Sequence, residues 1–189
     1  MTEEVVFMEL SNSKIILRNL KETDLNFIYE MSKHNLVFQF EEDSEPTREG
    51  TISKYLGKIK KMEYEIGELS TFLILRSDDG VPIGEIHTHL DNKKTRCWEI
   101  GYSLHPDYWG NGYASDAAKL VIRHIFEKCN GHKIIGCCNG KNIKSGNCME
   151  RAGMKREGWL IEARLLRGEW CDELVYSILD KDFINDTDM

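Results

Sequence analysis

Apolar and polar positions along this chain follow two periods, one near two and one near 3.6. Lys14 to Leu17 (KIIL) reads as a first strand. Thr23-Asp24 marks a helix start before Leu25, Phe27, Ile28 and Met31, because both residues offer acceptors to unpaired amides. An acidic, turn-like stretch, Glu41-Glu42-Asp43-Ser44-Glu45-Pro46-Thr47, precedes a second helix from about Arg48 to Tyr64. Apolar residues are sparse in both helices, so each is expected to pack over another element. After Gly67 the period changes to two. Thr71–Leu75, Val81–Leu90 and Cys97–Leu104 read as three strands with short connections, an antiparallel meander. Asp78-Asp79-Gly80 supplies the first turn. In the third strand Trp98, Ile100, Tyr102 and Leu104 point one way, and Glu99, Gly101 and Ser103 the other.

The strongest helix follows, with Ala114, Ala117, Ala118, Val121, Ile122, Ile125, Phe126 and Cys129 on one face and Asn130-Gly131 as its stop. Ile134–Cys138 is a strand with apolar character on both faces. A helix runs to about Ala152 and is closed by Gly153. The last part is a hairpin, Glu157–Leu166 and Glu173–Leu179, turning near Arg167-Gly168. The order β-α-α-β-β-β-α-β-α-β-β predicts an α+β or mixed α/β domain.

Composition narrows the function classes. The 189 residues suit one domain, 1–189, with one core. The net charge of -7, from 25 basic and 32 acidic residues, argues against a nucleic-acid partner. Cys97, Cys129, Cys137, Cys138, Cys148 and Cys171 form no CxxC pair, so no metal is expected and the thiols read as buried apolar groups. Met1 to Leu10 has no basic or long apolar run, and no stretch approaches the ~18 apolar residues of a membrane helix. A cytoplasmic location without membrane attachment is the expectation.

The informative segment is Leu104-His105-Pro106-Asp107-Tyr108-Trp109-Gly110-Asn111-Gly112-Tyr113-Ala114. A strand enters a glycine-rich turn that opens the strongest helix. Such a turn presents successive N–H groups at the positive end of a helix, which suits a pyrophosphate. A plain glycine turn is the alternative. The segment is neither a Walker loop, since no Gly-Lys-Ser/Thr follows, nor a dinucleotide fingerprint, since a third glycine is missing. From Tyr113 to Trp170 there are 11 Lys/Arg against 6 Asp/Glu, and Lys141 and Lys144 flank Asn142.

With these residues in view, the chain resembles the GNAT superfamily of acetyl-CoA-dependent N-acetyltransferases, and within it the ribosomal-protein N-terminal (Rim-type) branch. The resemblance rests on Glu99-Ile100-Gly101-Tyr102-Ser103-Leu104, His105-Pro106, Gly110-Asn111-Gly112-Tyr113-Ala114, Asn142-x-x-Ser145, Ala152-Gly153-Met154, Glu157-Gly158 and Trp170-x-Asp172. It implies a mostly antiparallel sheet splayed between two parallel strands, Cys97–Leu104 and Ile134–Cys138, with acetyl-CoA in the cleft between them. It implies that the backbone of Tyr102, Ser103 and Leu104 pairs with pantetheine. The amides of Trp109, Gly110, Asn111, Gly112, Tyr113 and Ala114 would hold the pyrophosphate, and Asn142 would bond the pantetheine region. Two positions depart from the family pattern. The Gln/Arg three residues before the first glycine is Asp107, and the tyrosine that protonates the thiolate in many members falls on Met149.

Acetyl transfer needs a neutral amine, a donor for the thioester oxygen and a proton for the departing thiolate. Glu99, on the strand that lines the cleft, is the first candidate for base or water-positioning group. Glu85, which shares a strand face with His87 and His89, is the second. Whether the two carboxylates share a sheet face depends on strand register. Ser145 is the candidate proton donor, with helix capping as its plain alternative. The acceptor would sit between the first two helices and the final hairpin, near Glu41–Glu45, and would be a protein N-terminal α-amine or a small cationic amine such as a polyamine or aminoglycoside. A CoA-binding module without catalysis is the alternative of a different class. A nucleotide-binding protein is a third. A homodimer stays open.

Overall fold

A computed structural model describes residues 9–40, 46–64 and 69–183. Its strands are β1 (Glu9–Ser11), β2 (Ile15–Asn19), β3 (Leu69–Arg76), β4 (Pro82–Asn92), β5 (Cys97–Leu104), β6 (Lys133–Asn139), β7 (Lys155–Leu166) and β8 (Glu169–Leu179). The helices are α1 (Leu25–Ser32), α2 (Asn35–Phe38), α3 (Arg48–Tyr64), α4 (Tyr113–Lys128) and α5 (Ile143–Arg151). The strands form one sheet in the order β1-β2-β3-β4-β5-β6-β8-β7. Every neighbouring pair is antiparallel except β5 and β6. This is the mixed α/β, mostly antiparallel sheet expected from the chain's pattern.

The parallel pair is short. It joins Cys97 to Lys133, Trp98 to Ile134 and Glu99 to Ile135, and then stops. β6 continues to Asn139 held by β8 alone, while β5 continues to Leu104 held by β4 alone. The two strands therefore diverge and leave an open edge on β5 from Ile100 onward.

Helices cover both faces of the sheet. On one face α4 buries Ala117, Ala118, Val121, Ile122 and Ile125 against Phe72, Ile86, Trp98, Ile100 and Ile134. Each fully buried Ile or Val there contributes about 1.5–3 kcal/mol of transfer free energy. On the other face Leu25, Ile28 and Met31 of α1 meet Leu73 of β3, with Tyr55 and Leu56 of α3 packed around them. Both helices with sparse apolar stripes thus find a sheet face to cover.

Local signals set the boundaries. Gly112 caps the start of α4 at φ 83, and Asn130 follows its end at φ 52, both in the left-handed region. Gly153 closes α5 at φ 92, and Arg167-Gly168 turn the hairpin at φ 50 and 83. Two elements escape the pattern. β1 is a three-residue edge, and α2 is a single turn with no buried residue. The acidic stretch Glu41–Glu45 and the start Met1–Met8 lie outside the described residues. Among the described residues no helix is long and apolar enough to cross a membrane.

The entry to α1 is pinned by a forked ion pair. Arg18 Nη1 and Nη2 donate to Asp24 at 2.7 and 2.8 Å, and the Lys21 amide donates to the same carboxylate at 2.9 Å. Burial alone would raise the Asp24 carboxyl, but the Arg18 hydrogen bond, the Lys21 amide and the Arg18 charge outweigh it and hold it below its usual range. A depressed carboxyl contributes stability above its unfolded value, and that contribution is lost as pH falls through the folded one. Asp24→Asn is expected to cost about 1–2 kcal/mol, moderated because Arg18 is partly solvated. Urea melts at pH 7 and pH 3 check this: the gap between parent and variant should shrink at the lower pH. An equal gap at both would remove the ion pair as its cause.

Candidate active site

The diverging strands open a cleft of about 730 Å³, lined by Tyr102, Ser103 and Leu104 of β5, by the turn from Tyr108 to Gly112, and by Lys141 to Ser145 at the start of α5. The turn leads from a 3-10 segment, Pro106–Tyr108, into α4. Gly110 and Gly112 both adopt left-handed φ, 84 and 83, which a Cβ disfavours. Among the described residues the amides from Gly110 to Ser115 have no acceptor. Asn111 Nδ2 donates back to the carbonyls of Tyr108 and Trp109 at 3.2 and 3.3 Å, which stiffens the turn. The result is a row of unsatisfied donors at the positive end of a 16-residue helix.

Asp107 stands where the family carries a basic residue, and it is exposed beside His105. A different cation reaches this turn. Lys14, next to β2, lies 3.6 Å from Asp116 of α4, and its Nζ is 3.8 Å from where a Cβ on Gly112 would stand. On the opposite wall Lys144 Nζ lies 4.4 Å above the Trp109 ring. Lys141, Lys144 and Arg151 line the cleft with no carboxylate among its described lining residues, so it is cationic despite the negative chain.

Asn142 is the N-cap of α5, and its side chain accepts the Ser145 amide at 3.2 Å. That leaves the Ser145 hydroxyl free of capping duty. It lies 3.2 Å from the Tyr102 hydroxyl, which donates to the Ser145 carbonyl at 2.9 Å. Burial pushes the Tyr102 phenol far above its usual value, so it keeps its proton. Tyr102 thus offers the cleft a hydroxyl as well as its backbone, a role that strand periodicity does not show. Met149 is 1% exposed and belongs to the core. Burial pushes the Cys148 thiol up, which disfavours a thiolate nucleophile there.

A second cavity, of about 370 Å³, lies between α1, α3 and the sheet, and shares Val37, Tyr102 and Ser103 with the cleft. At its floor is Glu85, 4% exposed and paired in register with Ser103. Tyr55 of α3 donates to Glu85 Oε1 at 3.2 Å. The nearest donor to Oε2 is His87 Nδ1, at 3.5 Å, and Oε2 is otherwise unpartnered. Burial alone would raise the Glu85 carboxyl, but His87, the charge of Lys58 and the Tyr55 hydroxyl more than offset it, and the group stays below its usual range. Gly101 makes this possible: a Cβ there would lie 2.7 Å from the His87 ring.

Register decides the relation of the two carboxylates. Ser103 opposes Glu85 and His89 opposes Glu99, so both carboxylates point to the α1/α3 face. They stand four residues apart along it, roughly 13 Å. Glu99 is about half exposed beside His89, 3.8 Å away, and lines neither cavity. Tyr55 and Lys58 were not legible as site residues. The strand pattern already put His87 on the Glu85 face, but only the packing of α3 on the sheet brings Tyr55 and Lys58 to that carboxylate.

An eight-stranded mixed sheet with a short, splayed parallel pair and a donor-rich helix start in the splay makes a cleft suited to an extended ligand that ends in phosphates. Residues 14–155 match the profile of the acetyltransferase (GNAT) domain, and the chain belongs to that family. The uncharacterized N-acetyltransferase YnaD of Bacillus subtilis is 28% identical over 176 residues, covering 93% of this chain and 99% of that protein. The spermidine N(1)-acetyltransferase of Vibrio cholerae is 25% identical over 178 residues, covering 92% and 98%. The ribosomal-protein-S5-alanine acetyltransferase of Vibrio fischeri shares the fold, with a TM-score of 0.79 and 20% identity over 94% of this chain and 100% of that one.

Proposed function

We propose that this N-acetyltransferase passes the acetyl group of acetyl-CoA directly to a primary amine held over Glu85. One observation carries the reading. The splayed cleft and the Glu85 cavity meet at Tyr102 and Ser103, so a thioester laid along β5 and an amine above Glu85 would come together there.

The amine nitrogen attacks the thioester carbonyl carbon, the C–N bond forms and the C–S bond breaks. An α-ammonium has a pKa near ~8, far above the depressed carboxyl of Glu85. Glu85 therefore holds the ammonium well but removes its proton poorly before attack. As the C–N bond forms the nitrogen becomes strongly acidic, and Glu85 can then take the proton. A free amide on the open edge of β5 would serve the developing oxyanion. In this reading the Ser145 hydroxyl, 3.2 Å from that of Tyr102, would hydrogen-bond the departing sulfur in place of the side chain absent at Met149, and the thiolate would take its proton from solvent. Lys14, Lys144 and the amides from Gly110 to Ala114 would hold the phosphates.

Two acceptor classes follow from the relatives. One acts on spermidine and the other on a ribosomal-protein alanine. The test is CoA release from acetyl-CoA across N-terminal peptides, polyamines, aminoglycosides and free amino acids. Turnover of any primary amine supports the reading. Tight acetyl-CoA binding with no turnover of any amine overturns it in favour of a CoA-binding module.

A further inference from the structure

The Glu85 cavity is dipolar. At its floor the Glu85 Oε2 has no close donor beyond His87. On its wall is Lys58 of α3, half-buried, with its ammonium 4.8 Å above the Tyr55 ring. The Tyr55 hydroxyl in turn touches Glu85. Among the described residues no carboxylate comes within ion-pair distance of Lys58, and Glu85 feels its charge only through space. Lys54, one turn earlier, lines the same wall. Glu85 is the only carboxylate among the described lining residues of either cavity.

A ligand with several ammonium groups fits this poorly. Its first charge would meet Glu85 and its second would meet Lys58. A half-buried cation with no carboxylate at ion-pair distance among the described residues, beside a half-satisfied carboxylate, calls for a ligand of the opposite arrangement. We propose that the acceptor is an amine that also carries a carboxylate: the amine sits on Glu85 and the carboxylate on Lys58. The spacing is set by the Tyr55 ring, which spans the two groups. Two sources supply this chemistry, a free α-amino acid and a peptide N-terminus with an acidic residue in its first positions.

This inference rests on the acetyl-transfer reading above, and its test separates the two. The kcat/KM for CoA release is measured with peptides that differ only by glutamate, glutamine or lysine at the second position. Free glutamate, its diamide and spermidine complete the set. The expected result is a preference of about tenfold or more for the acid-bearing member of a matched series, the scale of one charge-assisted contact. Lys58→Glu should invert that preference and Lys58→Gln should abolish it, with acetyl-CoA affinity and melting temperature near the parent's. Preference among peptides alone identifies a protein N-terminus as the source; preference in free glutamate alone identifies an amino acid. Spermidine or lysine-bearing peptides as the best substrates would sink the inference and leave acetyl transfer standing. So would a preference unmoved by Lys58→Glu. Silence with every amine would sink both.

Discussion

Glu85→Gln is expected to lower kcat/KM by about 100–1000-fold, the range of a positioned acid–base group, while leaving acetyl-CoA affinity unchanged. Glutamine keeps the shape, the Tyr55 contact and the strand register, so the loss reads the charge alone. The pH profile sharpens the test. Because the Glu85 carboxyl is depressed, it is ionised throughout the neutral range and contributes no limb there. The rate should rise with pH toward the pKa of the acceptor amine, near ~8 for an α-amine, in parent and variant alike. A variant within threefold of the parent would remove Glu85 from the chemistry. The same measurement on Glu99→Gln should show little change, since that side chain lines neither cavity.

Choosing between those two carboxylates shows where a one-dimensional reading ends. The glycine turn was legible because left-handed φ and unpaired helix amides are local demands that restrict residue type. The same holds for the stop at Asn130, for Gly153 and for the Arg167-Gly168 turn. The bounds of β5 were legible from its own alternation, and those of α3 from the turn-like stretch before it and the change of period after Gly67. The pairing of Glu85 with Ser103 is set across the loop between β4 and β5, where the register shifts near Leu90 and Asn92, and no local pattern encodes that shift. Nor does the weakly amphipathic α3 announce that Tyr55 and Lys58 face the sheet. Lys14 carries no local signal for the same reason. It lies about a hundred residues from the turn it serves, and only the folding of β2 beside α4 joins them. α2 is a single turn with no fully buried residue, so it has no period to read, yet Val37 lines both cavities.

Gly84→Ala should be the most destabilising small substitution near the site. Gly84 precedes Glu85 in β4, and a Cβ there would lie 2.4 Å from the Ser103 carbonyl oxygen and 3.0 Å from the Leu104 Cα. Both are backbone atoms of β5 and cannot step aside as a flexible side chain would. β4 and β5 must move apart, at the point where the cleft and the acceptor cavity meet. The expected cost is about 3 kcal/mol, at the upper end for overpacking. For a chain of this size that is a fall in melting temperature of about 6–12 °C. Gly136→Ala is the matched control. Its Cβ would meet the Met149 Sδ at 2.8 Å and the Met154 Cε at 3.4 Å, both ends of flexible side chains, so its cost should be less than half. Thermal melts of the two variants decide the matter. A Gly84→Ala protein melting within 2 °C of the parent, roughly one kcal/mol or less, would show that β4 and β5 tolerate the methyl. If the strands do separate, the folded fraction of Gly84→Ala should also lose turnover, because Ser103 and Glu85 no longer stand opposite each other, whereas Gly136→Ala should keep it.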